Sequence, residues 1–348
     1  MDGIRVLIVD DSALVRNVLT ELLSLDSSIE VVGTAVDPYD ARDKIKLLKP
    51  DVVTLDIEMP RMDGITFLKN LMKLNPIPVV MISTLTHAGA DATLQALELG
   101  AVDYIGKPTA NESDEALKLF QRDLVDKVKA AAGSSSKLKF RRSLSNIDRP
   151  VIKPTSITHK NNQLIAIGSS TGGTEALHDL LSVLPGSMPP IIITQHIPES
   201  FSDRFANRLN RQSELSVSEA KEGDVLKAGH VYIAPGSHHL VIKKYGHQFI
   251  CTLDSSEPVN RHKPSVEVMF DSLSELDAKN ITTVLLTGMG EDGALAMKRL
   301  VDQGAYSIVQ DEATSLVWGM PGAAVRLGAA KEVLALEKVA PRLVQYLS

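Results

Sequence analysis

The chain has 348 residues, 44% hydrophobic and 23% charged, with a net charge of -6. These are the proportions of a soluble globular protein, and the acidic balance argues against nucleic-acid binding. Its one cysteine, Cys251, rules out an intrachain disulfide and reads as a buried, inert thiol suited to a reducing compartment.

No run approaches the roughly 18 apolar residues that a membrane span needs. The apolar run Ile4–Val9 meets Asp10 and Asp11 too soon for a signal peptide. A cytoplasmic protein without membrane insertion is expected, and the length suggests two domains.

From the N-terminus, short Val- and Ile-rich runs alternate with amphipathic segments. Strands are expected at Arg5–Val9, Val31–Val36, Val52–Asp56, Val79–Ser83 and Val102–Ile105, and helices at Ser12–Leu25, Gly64–Leu74 and Glu112–Ala131 among others. Such runs suit strands buried on both faces, so the first domain is predicted to be an α/β, doubly wound, five-stranded parallel sheet. The alternation then gives way to Gly133-Ser134-Ser135-Ser136 and a stretch with seven Lys/Arg and one acidic residue between positions 133 and 160. This reads as a solvated linker, with a basic docking strip as the sharper alternative. The predicted boundaries are 1–125, a linker at 126–161, and a second domain at 162–348.

In the second domain, strands are expected from Leu164, then at Ile191–Thr194, Val231–Ala234, His239–Lys243, Phe249–Leu253, Thr283–Thr287 and Tyr306–Gln310. The middle strands look like hairpins turning at Gly236 and Gly246. The expectation is an α/β domain with a mostly parallel sheet and an antiparallel hairpin insertion.

Ligands of a parallel sheet bind beyond the carboxyl ends of its strands. That rule brings Asp10, Asp11, Asp56, Ser83 and Lys107 to one edge. Clustered carboxylates call for a cation, and an oxygen-only set suits Mg²⁺. A carboxylate between Mg²⁺ and a lysine can accept a phosphoryl group. Taken alone, Asp11 or Ser12 could simply cap the first helix. Val9-Asp10-Asp11, Leu55-Asp56-Ile57-Glu58-Met59-Pro60 with Asp63-Gly64, Ser83-Thr84 and Lys107-Pro108 resemble the receiver domain of two-component response regulators. The resemblance implies Asp56 as the phosphorylated aspartate, and Asp10, Asp11 and Asp56 as the Mg²⁺ site. It also implies Lys107 and Ser83 as phosphoryl-sensing groups, Tyr104 as the aromatic switch, and a cis bond before Pro108. Tyr104 reads equally well as a half-buried strand aromatic.

Gly168-Ser169-Ser170-Thr171-Gly172 fits G-x-S-x-G between a strand and a helix. A helix cap or a phosphate-cradling loop would use similar residues. A nucleophilic serine needs a base, and His196 follows a buried strand at its carboxyl end. His178 looks solvated. His238, His239 and His262 look structural or substrate-facing, and Ser265 is positioned to cap a helix. Asp292, in a glycine-rich turn after another strand, is the orienting acid, with Glu291 as rival. The triad is therefore Ser170, His196 and Asp292.

These segments, with Gln195-His196, Tyr232–Gly236, Pro258–His262 and Gly319-Met320-Pro321, resemble the chemotaxis protein-glutamate methylesterases; Ser169 stands where Ala is frequent. The resemblance implies demethylation of glutamate γ-methyl esters on methyl-accepting chemoreceptors, with glutamine deamidation at the same site. It implies oxyanion support from amides near Thr171 and Met289, no cofactor for hydrolysis, and a chemotaxis histidine kinase as phosphodonor. It further implies inhibition of the hydrolase by the receiver through occlusion, relieved by phosphorylation. The competing readings are a DNA-binding response regulator, for which no basic helix-turn-helix is seen, and a non-catalytic receptor-binding output domain.

Overall fold

The computed structural model describes residues 3–84, 87–107, 113–135, 162–246 and 248–348. Pro108 and most of the basic stretch, singled out above, lie outside the described residues. The chain divides into two compact units, Met1–Asn146 and Ile147–Ser348.

The first unit runs β1 (Ile4–Val9), α1 (Ala13–Ser24), β2 (Ile29–Ala35), α2 (Pro38–Leu48), β3 (Val52–Asp56), α3 (Gly64–Leu74), β4 (Val79–Ser83), α4 (His87–Glu98), β5 (Asp103–Gly106) and α5 (Asp114–Gly133). The sheet is wholly parallel, in the order β2-β1-β3-β4-β5. Its central strands are buried on both faces, from Val6 to Val9 and Val52 to Asp56, because helices cover each side. Polar side chains start the helices: Ser12 Oγ accepts from Val15, Asp63 from Thr66 and Ser113 from Ala116.

The second unit contains β6 (Leu164–Ser169), α6 (Gly173–Leu181), β7 (Ile191–Gln195), α7 (Glu199–Gln212), β8 (Ser216–Glu219), β9 (His230–Ile233), β10 (His239–Tyr245), β11 (Gln248–Asp254), α8 (Val266–Ser272), β12 (Ile281–Leu285), α9 (Ala294–Asp302), β13 (Tyr306–Gln310), α10 (Met320–Arg326), β14 (Glu332–Leu334) and α11 (Leu336–Leu347). Seven strands form a parallel sheet in the order β14-β13-β12-β6-β7-β9-β8, and β10-β11 form a separate antiparallel hairpin. The fold class read from the sequence holds.

Three details differ. The edge strands β8 and β14 were not anticipated; each is short and half-exposed, and gives almost no apolar signal. The strand expected at Thr283–Thr287 lies at Ile281–Leu285, because a strand buried on both faces has no alternation to fix its ends. Only β10-β11 is a hairpin, since β9 pairs in parallel with β7 and β8. Gly236 is needed for close approach and not for a hairpin turn: a Cβ there would lie 2.2 Å from the carbonyl carbon of Pro198. Cys251, in β11, is fully buried, and burial pushes its thiol up to about 12.

Candidate functional site

In the first unit, parallel pairing of Val9 with Leu55 places Asp10 and Asp56 side by side just beyond β1 and β3. The Lys107 N–H donates to the Ser83 carbonyl at 2.8 Å, which brings the lysine back over the same edge. Its Nζ lies 2.8 Å from Asp56 Oδ2 and 3.2 Å from Asp10 Oδ2. Burial raises the Asp56 pKa to about 6 even though Lys107 pulls it down, and the Asp10 charge adds to the rise.

Asp10, Asp11 and Asp56 each offer a carboxylate oxygen, and these oxygens lie within 4.8 Å of one another. Asp10 Oδ2 and Asp56 Oδ2 are buried without an aligned hydrogen bond. A hard, oxygen-seeking cation fits this donor set: it would satisfy both atoms and offset the desolvation of Asp56.

Ser12, and not Asp11, caps α1. Arg16 donates to the carbonyls of Asp10 and Asp11 at 2.8 and 2.9 Å, which fixes the turn that carries both acids. Ser83 ends β4 and is 1% exposed. Thr93 Oγ1 of α4 lies 2.8 Å from its hydroxyl. Sequence reading missed Thr93, because it looks like any small residue on the buried face of a helix. Tyr104 is buried beneath Lys127, whose Nζ stands 5.4 Å from the ring centroid and donates to the Tyr104 carbonyl.

In the second unit, β12, β6 and β7 are adjacent, so the segments leaving their carboxyl ends converge. Ser170 leaves β6, and its N–H donates to the Thr287 carbonyl at 3.0 Å. That amide is thereby spent, and an oxyanion formed at Ser170 would need its donors from neighbouring peptides. Gly172 opens α6 with φ of 75°, a left-handed conformation that favours glycine.

His196 follows β7, and its N–H donates to the Ser169 carbonyl at 3.2 Å. Its backbone therefore runs alongside the serine turn, and the nearer ring nitrogen meets the serine. His196 Nδ1 is 3.0 Å from Ser170 Oγ, and Nε2 is 2.9 Å from Asp292 Oδ2. The ring thus presents Nδ1 to the serine, where chymotrypsin-type triads present Nε2. An Nε2–H donated to Asp292 leaves the Nδ1 lone pair free to take the serine proton.

Asp292 is 2% exposed and meets Asn260 Nδ2 and Ser265 Oγ, both at 2.8 Å. It also accepts the backbone N–H of Val266 at 2.6 Å and of Glu267 at 3.3 Å. Burial alone would raise its pKa. The hydrogen bond and charge of His196, with the Asn260 and Ser265 donors, outweigh that and hold it at about 2. Glu291, the rival acid, is exposed. Such an arrangement can activate a serine for attack on a carbonyl.

Residues 6–118 match the response regulator receiver domain, and residues 165–343 match the CheB methylesterase model. A protein-glutamate methylesterase/protein-glutamine glutaminase of Xanthomonas campestris pv. campestris is 52% identical, over 98% of this chain and 96% of the relative. A protein of the same name from Saccharophagus degradans is 52% identical over 99% of both chains. The chain belongs to the CheB methylesterase family. The crystal structure of the Thermotoga maritima CheB methylesterase catalytic domain covers 54% of this chain and 100% of its own, at 36% identity and a TM-score of 0.53.

Within the methylesterase domain, the remaining histidines separate by their contacts. His239 is fully buried; its Nδ1 accepts the Ser265 N–H, and its Nε2 reaches the Glu257 carbonyl. His178 is half-buried beside Asp179, and His238 lies against the Ser237 hydroxyl. His262 stacks on His196, with centroids 3.7 Å apart. It is delivered by a two-residue turn in which Asn260 and Arg261 both have positive φ, closed by two hydrogen bonds between Val259 and His262. Sequence reading gave Asn260 no role, although an Asn in a tight turn tolerates this conformation. The Ser265 hydroxyl does not cap α8, because it is committed to Asp292, whose carboxylate receives the helix N–H groups instead.

Proposed function

We propose that the chain is a phosphorylation-regulated serine hydrolase that removes methyl esters from glutamate side chains of chemoreceptors and deamidates glutamines there. The observation that carries this reading is the continuous hydrogen-bonded series from Ser170 through His196 to Asp292. In this reading Ser170 Oγ attacks the ester carbonyl while His196 Nδ1 takes its proton. The tetrahedral oxyanion is held by amides near Thr171 and Met289. Collapse returns the proton to the leaving methoxide, which departs as methanol. Water, deprotonated by the same nitrogen, then frees the glutamate and restores Ser170. A glutamine side chain follows the same course and releases ammonia. Asp292 holds the imidazole and its Nε2 proton throughout.

The receiver pocket supports regulation. Asp10, Asp11 and Asp56 would hold Mg²⁺, which supplies charge neutralisation for phosphoryl transfer to Asp56. Lys107, Ser83 and Tyr104 would report the new charge. The phosphodonor is then a chemotaxis histidine kinase. A receiver followed by a hydrolase at 162–348 goes with this division of labour; the linker expected at 126–161 starts later, because α5 continues to Gly133 with Val128 and Ala131 buried. Among the described residues no helix is long and apolar enough to cross a membrane, in keeping with a cytoplasmic enzyme that works on the receptors' cytoplasmic portions. Methanol release from methylated receptor, with and without a small-molecule phosphodonor and Mg²⁺, tests the proposal. No release under either condition, from a protein that a fluorophosphonate does not label at Ser170, would refute it.

A further inference from the structure

One side-chain amide bridges the backbone of the serine to that of the base. Gln195 Nε2 donates to the Ser170 carbonyl at 3.1 Å and to the His196 carbonyl at 3.0 Å. Its Oε1 lies 2.7 Å from Ser169 Oγ. The two carbonyls can only accept, so the nitrogen must face them and the Ser169 hydroxyl must donate at the other end. Gln195 is 4% exposed and Ser169 is 0% exposed, so the bridge lies inside the protein. Gly173 makes room for it, since a Cβ there would lie 2.1 Å from Gln195 Oε1.

The Ser170 carbonyl also accepts the Gly173 N–H at 2.6 Å within its own turn. Gln195 adds a tie from the neighbouring strand. The peptide joining Ser170 to Thr171 is trans and planar, so its carbonyl and its N–H point in opposite directions. Whatever fixes the Ser170 carbonyl therefore fixes the direction of the Thr171 N–H.

We propose that Gln195, oriented by Ser169, is a positioning residue that aims the Thr171 N–H at the oxyanion and holds the Ser170 peptide in register with His196. The proposal rests on the reading of Ser170, His196 and Thr171 given above. Gln195 touches no reacting atom. It acts on the transition state through the peptide it holds, so its loss should appear in kcat.

The test uses the full chain with Gln195→Leu, Gln195→Glu and Ser169→Ala, beside Ser170→Ala. Gln195→Glu keeps the shape but replaces the two N–H donors by at most one O–H, so it cannot bridge both carbonyls. Methanol release gives kcat and KM, fluorophosphonate labelling gives the acylation rate, and thermal melts give the folded fraction. Both Gln195 variants are expected to lose about 10- to 100-fold in kcat and labelling rate per folded molecule. Their KM and the acidic limb of the pH profile should stay at parent values. Ser169→Ala should lose roughly 2- to 10-fold, the worth of one hydrogen bond, and nothing further in the Gln195→Leu background.

A parent-like kcat in either folded Gln195 variant overturns the proposal. So does a loss confined to KM, a shifted acidic limb, or a Ser169→Ala loss that adds to that of Gln195→Leu. Should neither Gln195 variant fold, Ser169→Ala alone decides, and a parent-like rate there is fatal. Turnover by folded Ser170→Ala would refute the serine reading itself. An inactive Ser170→Ala beside unaffected Gln195 variants would refute this inference alone.

Discussion

The carboxylate of Asp292 accepts the backbone N–H of Val266 at 2.6 Å, so the group that holds His196 also caps α8. Orientation of the base and stability of the domain therefore share one side chain. A helix N-terminus favours negative charge, and the same carboxylate faces His196 Nε2 at 2.9 Å.

Asp292→Asn should therefore show both effects. Its activity should fall by a factor on the order of 10³–10⁴, less than that of Ser170→Ala, because an amide cannot hold the imidazole in the required state. The Asp292 pKa in the fold, about 2, lies below its ordinary value of 3.8. A depressed carboxylate contributes stability above its unfolded pKa and loses it as pH falls through the folded one. The methylesterase domain should thus lose stability between about pH 4 and pH 2, and Asp292→Asn should flatten that part of the curve. Chemical denaturation at stepped pH is the measurement; an equally steep acid limb in the variant would assign the loss to other carboxylates.

Ser170→Ala and His196→Ala should each remove nearly all turnover, on the order of 10⁶-fold, with unchanged melting profiles. The pair works as one unit, so the double variant should be no slower than either single one. Steady-state methanol release checks this, and multiplicative losses would mean that the two residues act independently.

Asp56→Asn should abolish labelling by acetyl phosphate in Mg²⁺ and leave basal hydrolysis in place. Lys107 would then face an amide in place of the carboxylate now 2.8 Å from its Nζ. Labelling that persists in the variant would move the acceptor to another residue.

Thr93→Val should make activation easier. The Ser83 hydroxyl lies against Thr93 Oγ1 at 2.8 Å, and in the proposed reading it leaves that partner to meet a phosphoryl group on Asp56. Removing one neutral hydrogen bond, about 0.5–1.5 kcal/mol, should lower the phosphodonor concentration for half-activation by roughly 2- to 10-fold. A titration of esterase activity against acetyl phosphate reads the shift, and an unchanged or higher midpoint would show that the contact does not restrain Ser83.

Much of this was legible in the sequence, because strand-end chemistry in parallel sheets follows from order along the chain. Apolar runs ending in Asp10, Asp56, Ser83, Ser170 and His196 locate one edge of each sheet without any structure. Where a residue works through a neighbour distant in sequence, the tertiary structure decided. Thr93 becomes relevant only when α4 packs beneath β4, and Asn260 only when its turn reaches Asp292, 32 positions away. The ring face that His196 presents was also invisible, since it depends on how closely its backbone lies to the Ser170 turn. Hydrogen bonds are short and directional, so pattern along the chain places a residue at an edge, and only packing determines which atom it offers there.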